Sequence, residues 1–312
     1  MSLIIELTPR PNVKLQCICR YKQILKNKNG KDYCSVKLQD RTGVIDGKIW
    51  NLHGGIGEFE IDDVVDVEGE TLLYQDVLQL SINKIDRAKE GTYNLNDLIP
   101  HTEKDMSVLE KELFQFIDDI EHTFIKKLLE EIFYNEEIYK VFLQHSAAKS
   151  VHHAYLGGLL EHTVSVTKLG AYLSDKYYGV NKDLVIAGCL LHDIGKIYEL
   201  SDFPKNDYTD EGQMLGHIVM GAEIVSDFAK KIEDFPRELL MLIKHIILSH
   251  HGEYEFASPK RPKCIEAMIV HLADNTDAKL KMIEEMLQDA KEHEPYAGYH
   301  KILNRNIRKT TL

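Results

Sequence analysis

Between Val13 and about Ile85, apolar and polar residues alternate in short runs: "KLQCICRYKQILKN", "DYCSVKLQD", "VIDGKIW", "DVVDVEGETLLY" and "DVLQLSINKI". A period of two is that of a strand with one face in a core, and the intervening "NKNGK" and "DRTG" supply turn residues. About five short strands in roughly 75 residues suit a small closed or partly open barrel better than an open sheet, because closure protects the edges. The alternation then lapses. "DRAKEGTYNLNDLIPHTEKDM" is polar, contains Gly91 and Pro100, and reads as a linker. Beyond it the period becomes helical. Leu109, Leu113, Phe116, Ile117, Ile120, Phe124, Leu128 and Leu129 recur three or four apart along "MSVLEKELFQFIDDIEHTFIKKLLEEIF" as one helix face requires, and Ser107 with Glu110 fits a capping box at its start. Helical patterning continues to the C-terminus, as in "LIKHIILSHHG", where Gly252 offers a left-handed stop.

This patterning predicts a multidomain chain: an N-terminal all-β barrel over residues 1–88, a linker over 89–105, a helical connecting segment over 106–149, and an all-α domain over 150–312 with a basic C-terminal tail. The barrel resembles the oligonucleotide-binding OB type. Length permits two ordinary domains. The formal net charge of −12 makes the whole-molecule field repel nucleic acid and acidic membranes, so any polyanion must meet a local basic patch. The N-terminal apolar stretch is too short for a signal sequence, and no run approaches the roughly 18 apolar residues of a membrane span. The expectation is a cytoplasmic protein without a membrane partner. Cys17, Cys19, Cys34, Cys189 and Cys264 are scattered, with no paired CxxC, and read as core residues in a reducing compartment.

Histidine changes the picture. Of 15 histidines, twelve follow residue 140: His145, His152, His153, His162, His192, His217, His245, His250, His251, His271, His293 and His300. A lone histidine on an apolar helix is more often a satisfied core residue than a ligand. Here several occur with carboxylates in helical segments: His162 in "GGLLEHTVSV", His192 and Asp193 in "LLHDIGK", His217 in "LGHIVMG", His250 and His251 in "LSHHG", and Asp274 in "VHLADNTDAK". Burying so many polar groups without partners is very costly, whereas helices can project them onto one ion inside an apolar shell. A nitrogen and oxygen donor set favours manganese, iron, zinc, nickel or cobalt over a cysteine-type structural zinc site.

The ordered set of His162, His192-Asp193, His217, His250 and Asp274 resembles the HD superfamily of metal-dependent phosphohydrolases across roughly residues 150–290. The resemblance implies that His162, His192, Asp193 and Asp274 hold one metal. In two-metal members the aspartate matching Asp193 bridges both ions, and His217 and His250 complete the second site. Either histidine of "HH" could be that ligand; the other, His251 in the first reading, could donate a proton or contact phosphate. Divalent metals lower the pKa of bound water and neutralise charge on a phosphoryl group. If the helix continues past Asp193, Lys196 follows it at i+3 and could reach a nonbridging phosphate oxygen; a solvated lysine at a helix end is the alternative. Asp193, His251 and Lys196 are thus the candidate catalytic residues. Glu161, His271, Asp277 and Lys279 read as structural, with Glu161 a candidate support for the ligands.

The N-terminal region supplies the basic patch. Between Arg10 and Trp50 ten basic residues face three acidic ones, a local charge of +7. Tyr21, Tyr33, Trp50 and Tyr74 are interleaved with it, and single strands are held by aromatic stacking in a cationic groove. Tyr33, Lys48, Trp50 and Tyr74, with Arg261 of the basic "SPKRPK" run, are the candidate nucleic-acid contacts; core packing and solvation are the alternatives. The tail "HKILNRNIRKTTL" is also basic and could extend the path or pack as a terminal helix. An OB-type barrel followed by an HD domain, with the blocks "GGLLEHT", "LLHDIGK" and "LSHHG", looks like the YhaM family of bacterial 3'-to-5' exoribonucleases. That resemblance implies removal of mononucleotides from the 3' end of single-stranded RNA, with single-stranded DNA as an alternative substrate. It also implies two divalent ions, Mn2+ first, with Co2+, Fe2+ or Ni2+ as alternatives. Competing readings are a phosphohydrolase of free or cyclic nucleotides and a nucleic-acid-binding regulator with an inactive HD domain. Apolar helix faces within residues 107–143 fit burial in one chain or a subunit interface of a homo-oligomer.

Overall fold

A computed structural model of the chain describes all residues except 1, 53, 76, 150–154, 289, 291–293, 311 and 312. His152, His153 and His293 therefore lie outside the described residues. The chain forms two compact units, residues 1–101 with 202–205, and residues 102–201 with 206–312.

The first unit is a closed five-stranded barrel of strand order β1-β2-β3-β5-β4, with β1 at Arg10–Lys26, β2 at Asp32–Asp40, β3 at Gly43–Ile49, β4 at Val64–Tyr74 and β5 at Val77–Arg87. Closure depends on β1. Its first half pairs with β4 (Leu15 opposite Val67) and its second half with β2 (Ile24 opposite Cys34). A register shift between Cys19 and Tyr21 lies in the pairing with β2, where a bulge bends a strand most readily. β3 and β5 pair in parallel. The inward positions Leu15, Val36, Leu38, Ile49, Val65, Leu80 and Ile85 fill the interior, as the alternation predicted. Cys17, Cys19 and Cys34 belong to this core as free thiols. Burial pushes the Cys19 thiol up to about 11, which leaves it protonated and unreactive.

The second unit is helical: α1 Met106–Asp118, α2 Thr123–Phe133, α3 Glu136–Gln144, α4 Gly158–Ser174, α5 Lys182–Leu191, α6 Lys196–Glu199, α7 Asp210–Ala229, α8 Arg237–Ser249 and α9 Ile265–Gln288. α5 is buried all round from Leu184 to Leu191 and packs against α2, α4, α8 and α9, which makes it the axis of the unit. Helices α1–α3 share that core through Leu113, Ile117, Phe133 and Phe142, so their apolar faces are covered within their own unit. None of the described helices is long and apolar enough to cross a membrane.

Three local expectations are corrected. The helical run after residue 106 is broken between α1 and α2, where the Asp183 carboxylate accepts from the backbone N–H groups of Glu121 and His122 and caps the new helix start. α1 begins one residue before Ser107, with Asp105 as its cap accepting from Ser107 N–H at 2.9 Å, so the Ser107–Glu110 capping box does not form. The basic tail is not helical. It forms an antiparallel hairpin, β6 Tyr296–His300 and β7 Arg305–Arg308, whose turn uses Asn304 in the left-handed region.

Candidate metal centre

Several of the candidate ligands stand at ends and kinks of helices. His192 is the C-cap of α5 and His250 the C-cap of α8. At such ends the last carbonyls lack helical partners. His192 Nδ1 donates to Cys189 O and His250 Nδ1 to Ile247 O, each at 2.7 Å. A carbonyl only accepts, so Nδ1 carries the proton in both rings and Nε2 faces inward. α5 does not run on through Asp193, the condition on which the i+3 relation of Lys196 was drawn. It stops at Leu191, and a turn in which Lys196 N–H donates to Asp193 O leads into α6. That turn still sets Lys196 Nζ 2.6 Å from Asp193 Oδ2.

His217 follows a kink in α7 at Gly216, which has φ +73° and ψ 155°. The kink lets both His217 N–H and Nδ1 bond Glu199 Oε1 at 2.9 Å. Gly195 allows the close approach of the two segments, since a Cβ there would lie 2.1 Å from His217 O and 2.6 Å from Gly221 N. His162 projects from the first turns of α4, and its Nδ1 bonds Asp277 Oδ2 of α9 at 2.8 Å. Asp274 lies one turn before Asp277 on α9.

The inward atoms converge around Asp193. Its Oδ2 lies 3.5 Å from His162 Nε2 and 3.4 Å from His192 Nε2; its Oδ1 lies 3.5 Å from His217 Nε2 and 3.6 Å from His250 Nε2. Asp274 Oδ1 lies 3.2 Å from His162 Nε2, and the Nε2 atoms of His162 and His192 are 3.3 Å apart. Two donors held about 2.1 Å from one ion at 90–110° stand about 3.0–3.4 Å apart, close to this spacing. Asp193 Oδ1, His217 Nε2 and His250 Nε2 are buried without a hydrogen-bond partner among the described residues. A buried polar atom left unmet costs about 1–3 kcal/mol, so three together on one point fit a cation. The His and Asp groups can therefore hold divalent metal, with no cysteine among them.

Electrostatics agree. Burial opposes ionisation of Asp193, yet Lys196 and His192 outweigh it and hold the carboxyl well below the usual range. Burial depresses His250 far below the ordinary imidazole value, and His251 beside it adds to this, so its Nε2 presents a lone pair. Burial would also lower His162, but hydrogen bonds to Asp274 and Asp277 prevail and raise it to about 9. Burial and His217 lower His251. His251 Nδ1 donates to Phe256 O at 2.8 Å, which leaves its Nε2 unprotonated and able to accept or ligate.

A cavity of about 950 Å³ opens onto this cluster and is lined by His162, Asp193, His217, His251 and Asp274 together with Lys196. Glu161 lies outside it, held by Thr102, Tyr155, Lys104 and Lys281. Arg261 is not brought to the cavity; it pairs with Glu253 at 2.7 Å and covers the Tyr254 ring. In the barrel, Tyr33 and Trp50 stack with centroids 4.9 Å apart and Lys48 Nζ stands 5.7 Å from the Tyr33 ring, while Tyr74 is exposed at the β4–β5 turn. Sequence reasoning missed Glu199 and passed over Asp277. The i, i+3 relation to Asp274 was a signal for Asp277; Glu199 offered none, because its partner lies across a turn and a kink.

Two outcomes follow for the metal-binding chain. Asp277→Asn and Glu199→Gln should each weaken Mn2+ binding by about 10–100-fold in calorimetric titration, because each removes the carboxylate that orients a ligand ring; unchanged affinity in both variants would show that the rings are oriented otherwise. Near neutral pH His162 carries two ring protons in the metal-free chain, and ligation requires its Nε2 lone pair. Metal uptake in weak buffer should release about one proton per chain, declining as pH rises through about 9, and pH-independent release would contradict the assignment.

Comparison with known proteins extends this picture. The HD domain family matches residues 159–279. The chain is similar in part to the second OB-fold domain of replication protein A from Methanococcus maripaludis (24% identity, 30% of this chain, 98% of that one, TM-score 0.23). It is also similar in part to the HD domain of L. monocytogenes phosphodiesterase PgpH (22% identity, 50% of this chain, 84% of that one, TM-score 0.31). The 3'-5' exoribonuclease YhaM of Shouchella clausii (strain KSM-K16) is 35% identical over 263 residues, 83% of this chain and 81% of the relative. Barrel, helical unit and histidine-aspartate centre thus lie on one chain alignable over most of both lengths, and this chain belongs to the YhaM family of 3'-5' exoribonucleases.

Proposed function

We propose that this chain is a metal-dependent 3'-to-5' exoribonuclease that removes nucleoside 5'-monophosphates from single-stranded RNA, with single-stranded DNA as a second substrate. The observation that carries the proposal is the division of Asp193: one oxygen faces His162 and His192, the other faces the orphaned nitrogens of His217 and His250. That division supports a pair of ions. His162, His192, Asp193 and Asp274 would hold one, and Asp193, His217 and His250, with His251 alongside, the other. Imidazole and carboxylate donors suit Mn2+, with Co2+, Fe2+ and Ni2+ as alternatives. Bound divalent ions lower the pKa of water and offset charge on the phosphoryl group under attack.

The chain's own residues do the remaining work. Lys196 compensates the buried Asp193 charge and stands at the cavity wall, where its ammonium can meet a nonbridging phosphate oxygen. The neutral His251 ring, fixed by Phe256 O, offers Nε2 to the cavity as ligand or proton acceptor; this orientation argues against its serving as proton donor. The apolar shell around α5 keeps the ligand rotamers fixed. In the barrel, the stacked Tyr33–Trp50 pair with Lys48 is a platform for single-stranded bases. The buried free thiols fit a reducing cytoplasm.

A 5'-labelled single-stranded RNA incubated with Mn2+ should shorten one nucleotide at a time from its 3' end; no shortening across divalent metals would sink the proposal. Asp193→Ala should lower that rate at least about 100-fold while RNA binding persists. Tyr33→Ala and Trp50→Ala should each cost about 1–3 kcal/mol of RNA affinity by fluorescence anisotropy. Unchanged affinity would return these rings to a structural role.

A further inference from the structure

The cavity over the metal centre extends beyond the ligands along α9 to the C-terminal hairpin. On α9 the lining positions His271, Asp274, Asn275, Ala278 and Lys279 recur at helical spacing, so one face of the helix leads from a candidate ligand to a cation. Lys279 lies five residues past Asp274, about 7.5 Å along the axis, with the small Ala278 keeping the path open. To the same cavity the hairpin contributes Ile302 and Leu303 from its turn and Arg305 from the start of β7.

The charges in this cavity are unevenly committed. Lys196 is paired with Asp193, and Lys149 with Asp207 at 2.6 Å. Among the described residues Lys279 and Arg305 have no carboxylate partner; Arg305 Nε donates to Leu303 O at 2.9 Å, which fixes the stem and leaves the two Nη groups to a ligand. The lining holds four lysine and arginine side chains against three carboxylates, in a chain whose net charge is −12. Ile302 is 61% exposed at the hairpin turn, an apolar side chain on the cavity wall. Two unpaired cations beside apolar side chains, in the cavity that also takes in the candidate ligands, match a nucleotide with its phosphate and base.

We propose that Lys279 and Arg305 form a phosphate subsite for the nucleotide adjoining the scissile link, with Ile302 and Leu303 of the hairpin against its base. The inference rests on the phosphodiester reading above and adds a second phosphate to it. The guanidinium fork suits two phosphate oxygens, and the ammonium supplies a point charge. The hairpin, unforeseen in the helical reading of the tail, thereby becomes part of the substrate site.

The test compares adenylyl-(3'→5')-adenosine (ApA), which has only the scissile phosphate, with its 5'-phosphorylated form (pApA). Both are bound to the full-length chain in a metal chelator, so no hydrolysis intervenes. The wild-type chain should bind pApA about tenfold more tightly than ApA, the size expected of charge-assisted bonds to one phosphate. K279A/R305A should remove that difference while leaving ApA affinity and the circular dichroism spectrum unchanged. R305K should restore part of it. Equal binding of the two ligands by the wild-type chain, or a preference surviving in the double variant, would overturn the subsite. RNA shortening without phosphate preference would reject the subsite and keep the activity; phosphate preference without RNA shortening would do the reverse.

Discussion

The helical unit is organised around one buried carboxylate. Asp193 is almost wholly removed from water, and it stays ionised because Lys196 and His192 outweigh the cost of burial. Its two oxygens are turned to different groups of imidazoles, and one of them has no hydrogen bond among the described residues. Three unmet polar atoms at one point subtract several kcal/mol by the usual cost of about 1–3 kcal/mol each. The dry packing of α5 against α2, α4, α8 and α9 offsets that cost and fixes the directions in which the ligands point. Stability is concentrated around the centre and withheld at it, as expected where a charged ligand is to be received.

Helix ends aim the ligands. A histidine in mid-helix would have its backbone partners satisfied and its ring free to rotate among rotamers. At the C-caps of α5 and α8 the ring nitrogens of His192 and His250 instead bond the carbonyls of Cys189 and Ile247, which fixes ring orientation and tautomer together. His162 and His217 use carboxylates for the same purpose, Asp277 and Glu199. The two modes differ electrically. The carboxylate beside His162 helps to raise its pKa to about 9, whereas His250, oriented by a carbonyl and crowded by His251, is depressed. One centre therefore contains a histidine that favours both ring protons and one that keeps only its Nδ1 proton, each set by its neighbours.

The barrel meets a different constraint. An acidic chain can approach a polyanion only through a local excess of positive charge, and the strands between Arg10 and Trp50 supply it. Alternation along β2 and β3 sends Cys34, Val36, Leu38 and Ile49 inward and leaves Tyr33, Lys48 and Trp50 accessible beside one another, because Tyr33 and Trp50 flank the paired residues Cys34 and Ile49. The period that builds the core is thus the period that assembles the platform.

Much of this was legible from residue order. The five strand runs, the change to helical periodicity, and the inward Leu15 and Leu80 follow from local pattern; His162, His192, Asp193, His217, His250 and Asp274 stood out as a candidate set by residue type and by resemblance to the HD superfamily. The break between α1 and α2 was not legible, because its cause is the Asp183 carboxylate 61 and 62 residues away. Neither was the hairpin of the basic tail, nor the role of Glu199, which becomes a partner of His217 only through a turn at Asp193 and a kink at Gly216. The sequence by itself determined which segments have an apolar face and which donor atoms are present, since periodicity and side-chain chemistry are properties of neighbours along the chain. Tertiary structure alone decided which nitrogen points inward, which oxygen of Asp193 faces which pair, and that Lys279 and Arg305 border one cavity, since those depend on contacts between residues far apart in sequence.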